Sequence, residues 1–204
     1  MNYEKIYEHY ENCLEKFGDS PKGHDWPDMD STNKRYEVMT DIFRNESANC
    51  SVLDLGCGTG MYLDYLINNE INVSYEGADI SDKFISIASK KFKDNNFYKI
   101  NVLEENLPKK YDYIIVNGVF TMSVGLSSDE MFDFLTKFID RVWPNTKKGL
   151  AINFMSKNVD WERDDLYHMS IDKLTKYLFE KRITKEWVVR NDYGLYEYTI
   201  YLKK

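Results

Sequence analysis

Cys50-Ser51-Val52-Leu53-Asp54-Leu55-Gly56-Cys57-Gly58-Thr59-Gly60-Met61-Tyr62 decides how the rest of the chain is read. Val52, Leu53 and Leu55 make a short apolar run suited to a buried strand, which leads through Asp54 into three alternating glycines. Glycine tolerates positive φ and lets a ligand approach bare backbone. A helix opening just after the last glycine offers free N–H groups and the positive end of its dipole. Strand, glycine turn and helix together predict a nucleotide-sized pocket at the carboxyl end of a parallel sheet.

Outward from this turn, the chain alternates strand and helix. The first strand is expected at 51–55, and the helix behind it carries Leu63, Leu66 and Ile67. A second strand at 73–79 ends in Asp79, and Ser81 caps a helix with Phe84, Ala88 and Phe92 spaced by four. Strand three is expected at 97–102 and strand four at 111–117, whose apolar centre suits burial on both faces. Ser127-Ser128-Asp129-Glu130 reads as a capping box. Met131, Phe134, Leu135, Phe138, Ile139 and Val142 behind it follow helical periodicity. Strand five is expected at 149–155, a polar loop at 156–169, and a helix from Ser170. Residues 183–190 and 195–203 are joined by Asn191-Asp192-Tyr193-Gly194, too short for a crossover helix, so they predict an antiparallel hairpin.

Before the turn, Tyr3, Ile6, Tyr7, Tyr10, Leu14 and Phe17 mark one face of a helix over 3–17. A loop containing His24, Asp25 and Trp26 follows. A second helix is capped by Asp30 or Ser31 and presents Tyr36, Met39 and Phe43. The expected organisation is one domain: a helical lid over 1–47 and an α/β core over 48–204.

Composition narrows the function classes. A chain of 204 residues can bury a substantial core. With 27 basic and 34 acidic residues the net charge is −7, which argues against a nucleic-acid backbone or an anionic membrane as partner. No apolar run approaches the roughly 20 residues that span a bilayer, and residues 1–5 lack a signal-peptide core. Three cysteines without a C-x-x-C indicate neither a disulfide framework nor a zinc site. A cytoplasmic protein, monomeric or homodimeric, is expected.

Asp54-x-Gly56-x-Gly58-x-Gly60 resembles the first motif of the class I S-adenosylmethionine-dependent methyltransferases. A dinucleotide fingerprint would instead run G-x-G-x-x-G, and here Met61 stands at its third glycine. The β/α alternation closed by an antiparallel hairpin is similar to the same family over residues 50–204. The resemblance implies a doubly wound, seven-stranded, mostly parallel Rossmann-like sheet with S-adenosyl-L-methionine as cofactor.

That cofactor assigns roles along the chain. Gly56, Cys57, Gly58 and Gly60 would take its amino-acid end, Asp54 its ammonium directly or through water, and Thr59 a hydrogen bond near the helix start. Asp79, nineteen residues after Gly60, matches the family's ribose-binding acid, with Ile80 on the adenine face. Asn101 stands where the family often has an acid and offers both donors and an acceptor to adenine; Val102 and Leu103 would pack near the ring. Asn117 and Gly118 would lie beside the methyl donor, with Phe120 facing the acceptor. Asn117-Gly118-Val119-Phe120 is not the Asn/Asp-Pro-Pro-aromatic motif of enzymes that methylate planar amino groups, and no nucleophilic cysteine stands there for pyrimidine C5 chemistry. Arg35 either neutralises the cofactor carboxylate or forms a surface salt bridge. Tyr3, Tyr7, Tyr10 and Trp26 are candidates for an aromatic lid over the sulfonium, with Tyr7, Tyr10 and Trp26 also meeting the substrate, or they form the packing face of the first helix. His168 and His24 are candidates for a base or substrate contact, against the plainer reading of solvated loop residues, and Tyr167 for a substrate contact. The expected reaction is O-methylation of a metabolite, surface-glycan or natural-product precursor. N-methylation or methylation of a phosphate-derived group stays open, as do a non-catalytic cofactor-binding protein and a nicotinamide oxidoreductase.

Overall fold

The computed structural model describes residues 3–46 and 49–204. The expected junction between lid and core, at residues 47 and 48, lies outside the described residues. The sheet is built from β1 (Ser51–Leu55), β2 (Ser74–Asp79), β3 (Asn96–Lys99), β4 (Tyr111–Val116), β5 (Thr146–Ser156), β6 (His168–Met169), β7 (Glu186–Arg190) and β8 (Glu197–Lys203). Its strand order is β3-β2-β1-β4-β5-β8-β7, with β6 pairing only to the end of β5. Strands β1 to β5 run parallel, whereas β8 pairs antiparallel with both β5 and β7. This is the doubly wound mixed α/β sheet of the class I methyltransferase fold.

The apolar runs explain why the central strands are interior. Leu53, Ile114, Ile115, Val116, Leu150 and Phe154 are fully buried, as strands covered on both faces require. On one face, α5 (Ser128–Val142) buries Met131, Phe134, Leu135, Phe138, Ile139 and Val142 beside Leu174 and Leu178 of α6 (Ile171–Glu180). The Ser127–Glu130 capping box forms as expected, with both reciprocal hydrogen bonds present. On the other face, α2 (Met29–Asp41) and α3 (Met61–Asn68) contribute Tyr36, Met39, Leu63 and Leu66. Neighbouring strands β1 and β4 lead to successive crossovers in opposite directions, so a crevice opens beyond their carboxyl ends.

Several boundaries differ from expectation. β3 stops at Lys99 because Ile100 to Leu103 turn away to line a cavity instead of continuing the ladder. β5 begins at Thr146, where Tyr111 already offers a partner. Met169 and His168, expected in a loop, pair with Ser156 and Met155. The cap of α2 is Asp28, not Asp30 or Ser31. Its extended backbone lets the carboxylate accept from Ser31 N–H at 2.7 Å, whereas Asp30 already lies in the first turn. Ile67, expected on the packing face of α3, is exposed.

α1 (Glu4–Phe17) and the 3₁₀ turn Pro21–His24 lie across the crevice. Tyr3 stacks on Phe134, and Glu11 accepts from the Ser81 hydroxyl at the start of α4 (Asp82–Lys91). Among the described residues, no helix is long and apolar enough to cross a membrane.

Candidate active site

The crevice encloses about 920 Å³ of space, open solvent at its mouth included. Its floor comes from three strand ends: Leu55, Gly56 and Gly58 after β1, Asp79 and Ile80 after β2, and Asn117 to Val119 after β4. Asn101, Val102 and Leu103 form one wall. Tyr3, Tyr7, Tyr10, His24 and Trp26 form the roof.

Two glycines are needed for close approach as well as for their φ. A Cβ on Gly58 (φ +55°) would sit 2.6 Å from His24 Nε2, and one on Gly118 (φ +91°) would sit 2.8 Å from the Trp26 ring. The roof therefore rests directly on bare backbone. Tyr10 adds a hydrogen bond from its hydroxyl to Gly118 O at 2.9 Å. Burial pushes its phenol above the ordinary range, so it stays protonated and serves as a donor.

Asp79 ties the floor together. Its Oδ2 accepts from Gly58 N–H at 3.0 Å and its Oδ1 from Ser81 N–H at 2.9 Å, so the end of β2 holds the glycine turn. Burial raises its pKa while the backbone donors oppose the rise. Each carboxylate oxygen keeps acceptor capacity toward the cavity. Asp54, in contrast, lies outside the cavity wall. It is buried under the turn and accepts from Tyr75 O–H at 2.8 Å. Burial, with some help from the nearby Asp79 charge, pushes its pKa up to about 7.

Other residues singled out from sequence also lie away from the cavity wall. Cys57 is buried with its thiol turned to Gly58 O, and Gly60 is the N-cap of α3. The Thr59 hydroxyl donates to Asp19. Phe120 is buried among Phe134, Phe138 and Phe154 in the sheet–α5 core. Tyr167 is buried with its hydroxyl against Met169 Sδ. His168 is no loop residue: its Nδ1 faces Ser156 O, and its Nε2 accepts from Arg163 N–H at 3.2 Å. Both ring nitrogens are thus spent on anchoring the 157–167 loop.

Arg35 is neither a surface residue nor a cavity residue. Its Nε lies 3.0 Å from both carboxylate oxygens of Glu197, and Nη2 contacts the same group. The guanidinium stacks under Trp26 at 4.1 Å from the ring centroid. Glu197 also accepts from Asn153 Nδ2 at 3.1 Å, and Asn153 Oδ1 accepts from Gly118 N–H at 2.8 Å. Sequence reasoning missed Asn153 and Glu197. The available signal was a polar residue interrupting the apolar run Ala151-Ile152-Asn153-Phe154.

His24 lines the cavity with a defined tautomer. Its Nδ1 faces Ser20 O at 3.0 Å, a pure acceptor, so Nδ1 carries the proton. Its Nε2 lone pair then accepts from Thr59 N–H at 3.2 Å. Burial lowers the pKa, favouring this neutral form. The unfolded chain therefore binds the proton more readily. The stability contributed by neutral His24 is complete above the unfolded value of about 6.5 and is lost as pH falls from there toward the depressed folded value. Urea unfolding at pH 7.5 and pH 5.5 should show wild type losing more stability on acidification than His24→Gln; equal losses would place the imidazole in water.

The cavity fits S-adenosylmethionine. Asp79 offers carboxylate acceptors beside the apolar lining of Ile80, Val102 and Leu103, and Asn117, also a lining residue, has a buried Oδ1 with no hydrogen-bond partner among the described residues. A methyltransferase-domain family model matches residues 53–147, from β1 to the start of β5. This match, with the fold, supports the reading of the chain as a class I S-adenosylmethionine-dependent methyltransferase. The chain is 28% identical to a protein of Mycobacterium tuberculosis named as a methyltransferase, over 76% of this chain and 93% of that one. It is 27% identical to a tRNA (guanine-N(7)-)-methyltransferase of Clostridium botulinum, over 90% of this chain and 69% of that one. The magnesium protoporphyrin IX methyltransferase of Synechocystis PCC 6803, solved with bound S-adenosylmethionine, superposes with a TM-score of 0.61 at 17% identity, over 85% of this chain and 79% of that one.

Proposed function

We propose that this methyltransferase acts on a small acceptor and methylates it at oxygen, with residues 1–47 serving as the lid of a single catalytic unit. The cofactor supplies a methyl group on a positively charged sulfur, activated for in-line displacement. Asp79 would hold the ribose, Ile80, Val102 and Leu103 would enclose the adenine with Asn101 at its polar edge, and Asn117 would stand beside the methyl donor. The chain's own contribution is alignment and exclusion of water, worth up to roughly 7–11 kcal/mol in favourable cases.

The observation that carries the small-acceptor reading is the roof. Tyr10 and Trp26 meet the backbone of Gly118, so the space beside Asn117 is reached beneath aromatic side chains and not from an open basic face. The net charge of −7 points the same way. The acceptor atom follows from the wall. His24 already spends its lone pair on Thr59 N–H, and Asp79 accepts from two backbone donors. Among the described lining residues no disengaged base remains, which suits an oxygen that is already ionised, such as a carboxylate or an acidic phenol or enol.

Two measurements test this. Calorimetry should give micromolar binding of S-adenosylmethionine and S-adenosylhomocysteine and none of NAD. Release of S-adenosylhomocysteine should then occur with a low-molecular-weight metabolite fraction and not with tRNA. Turnover on tRNA alone would overturn the small-acceptor reading and leave the cofactor assignment standing.

A further inference from the structure

We propose that His9, Cys13 and Asp25 form a zinc-class divalent metal site that latches the lid. His9 and Cys13 stand four residues apart, on one face of α1. Asp25 follows the 3₁₀ turn in a left-handed conformation (φ 58°) that directs the chain back toward that face. The three side chains present one imidazole nitrogen, one sulfur and one carboxylate oxygen, all within 4.8 Å of one another. His9 Nε2 lies 2.8 Å from Asp25 Oδ2 and 3.8 Å from Cys13 Sγ.

The chemistry of the three groups favours a cation over a plain hydrogen bond. One imidazole nitrogen faces two other ligand atoms, and a single proton on it serves only one of them well. A cation at the point they share satisfies all three. Metal–ligand lengths of about 2.0–2.3 Å in a tetrahedron place ligand atoms roughly 3.4–3.6 Å apart, so the His9–Asp25 and His9–Cys13 pairs adjust by well under an ångström, and Cys13 and Asp25, within 4.8 Å of each other, close by no more than roughly 1.4 Å. Thiolate, imidazole and carboxylate together suit zinc among common divalent ions, whereas magnesium and calcium take oxygen ligands. His9 is 30% exposed and Asp25 38%, so a metal can enter from solvent and a water can complete the fourth position.

Position gives the site a consequence. Asp25 stands between His24, which rests on Gly58, and Trp26, which rests on Gly118. A metal bridging Asp25 to α1 fixes both roof residues over the cavity. Loading would therefore slow exchange of whatever the cavity holds. That second step rests on the proposed cofactor site; metal binding itself does not.

Cobalt(II) is the probe, added to the full chain with thiols reduced and no cofactor present. Wild type should bind one equivalent and develop thiolate-to-cobalt charge-transfer absorption, which zinc then bleaches by displacement. Cys13→Ser should lose that absorption, and His9→Gln should weaken zinc binding by at least about 100-fold, since even partners outside the metal shell are worth 10–100-fold. Circular dichroism confirms that both variants fold. An absence of charge-transfer absorption in wild type, or a spectrum unchanged in Cys13→Ser, overturns the site. A normal cobalt spectrum with unaltered S-adenosylhomocysteine dissociation on adding zinc leaves the site standing and overturns the latch.

Discussion

Arg35→Met is expected to cost about 3–5 kcal/mol of stability, the range found when one partner of a buried ion pair is removed. Arg35 is 7% exposed and Glu197 2%. Without the guanidinium, Glu197 keeps only the Asn153 amide as a side-chain donor among the described residues, and a carboxylate so far from water cannot recover its solvation. For a chain of this size the loss corresponds to a fall in Tm of roughly 6–20 °C. Scanning calorimetry measures it. The double variant Arg35→Met/Glu197→Met should recover much of the loss, because it removes both charges instead of stranding one. A fall below about 1 kcal/mol in the single variant would mean that Glu197 finds other company. The change should also reach the site, since Trp26 loses the cation under its ring and the Asn153–Gly118 contact loses its anchor.

Asp79→Ala should weaken S-adenosylmethionine binding by about 100-fold or more. A hydrogen bond to a charged group contributes about 1.5–3 kcal/mol, and in the proposed reading the carboxylate accepts from two ribose hydroxyls. The variant also strips Gly58 N–H and Ser81 N–H of their acceptor, so the glycine turn itself loosens. Asp79→Asn keeps the volume but turns an NH₂ toward one of those donors, and it should fall between wild type and alanine. Calorimetry of cofactor binding, alongside a thermal melt to confirm folding, checks the series. Unchanged affinity in a folded Asp79→Ala would remove Asp79 from the ribose site.

The parts of this molecule readable from sequence are those set by neighbours along the chain. A short strand with Val52, Leu53 and Leu55 apolar, three glycines and a helix start sufficed for β1, its turn and α3. Ser127 and Glu130 announced the start of α5, and Asp79 followed from its place at the end of β2. What was not readable depends on partners remote in sequence. Arg35 reads equally as a cofactor contact or a surface salt bridge, because its partner Glu197 lies 162 positions away. His24 and His168 looked alike as loop histidines, yet one sits on the glycine turn and the other pins a loop behind β5, because different backbone groups claim their nitrogens. The end of β3 was misplaced because Ile100 and Val102 continue an apolar pattern that serves a cavity wall and not a ladder. That Asp28 caps α2 in place of the expected Asp30 or Ser31 rests on a backbone angle that composition does not encode.

The Arg35–Glu197–Asn153 network bears on how this enzyme can be re-engineered. Exchanging the N-terminal segment with that of a relative is the obvious route to a new acceptor, because that segment roofs the cavity. Such a graft also carries or omits a buried cation, while its counter-charge stays behind on the last strand of the sheet. A chimera that changes one without the other starts with an orphaned ion at the joint between its two parents. The transplantable unit is therefore discontinuous: the lid together with positions 153 and 197.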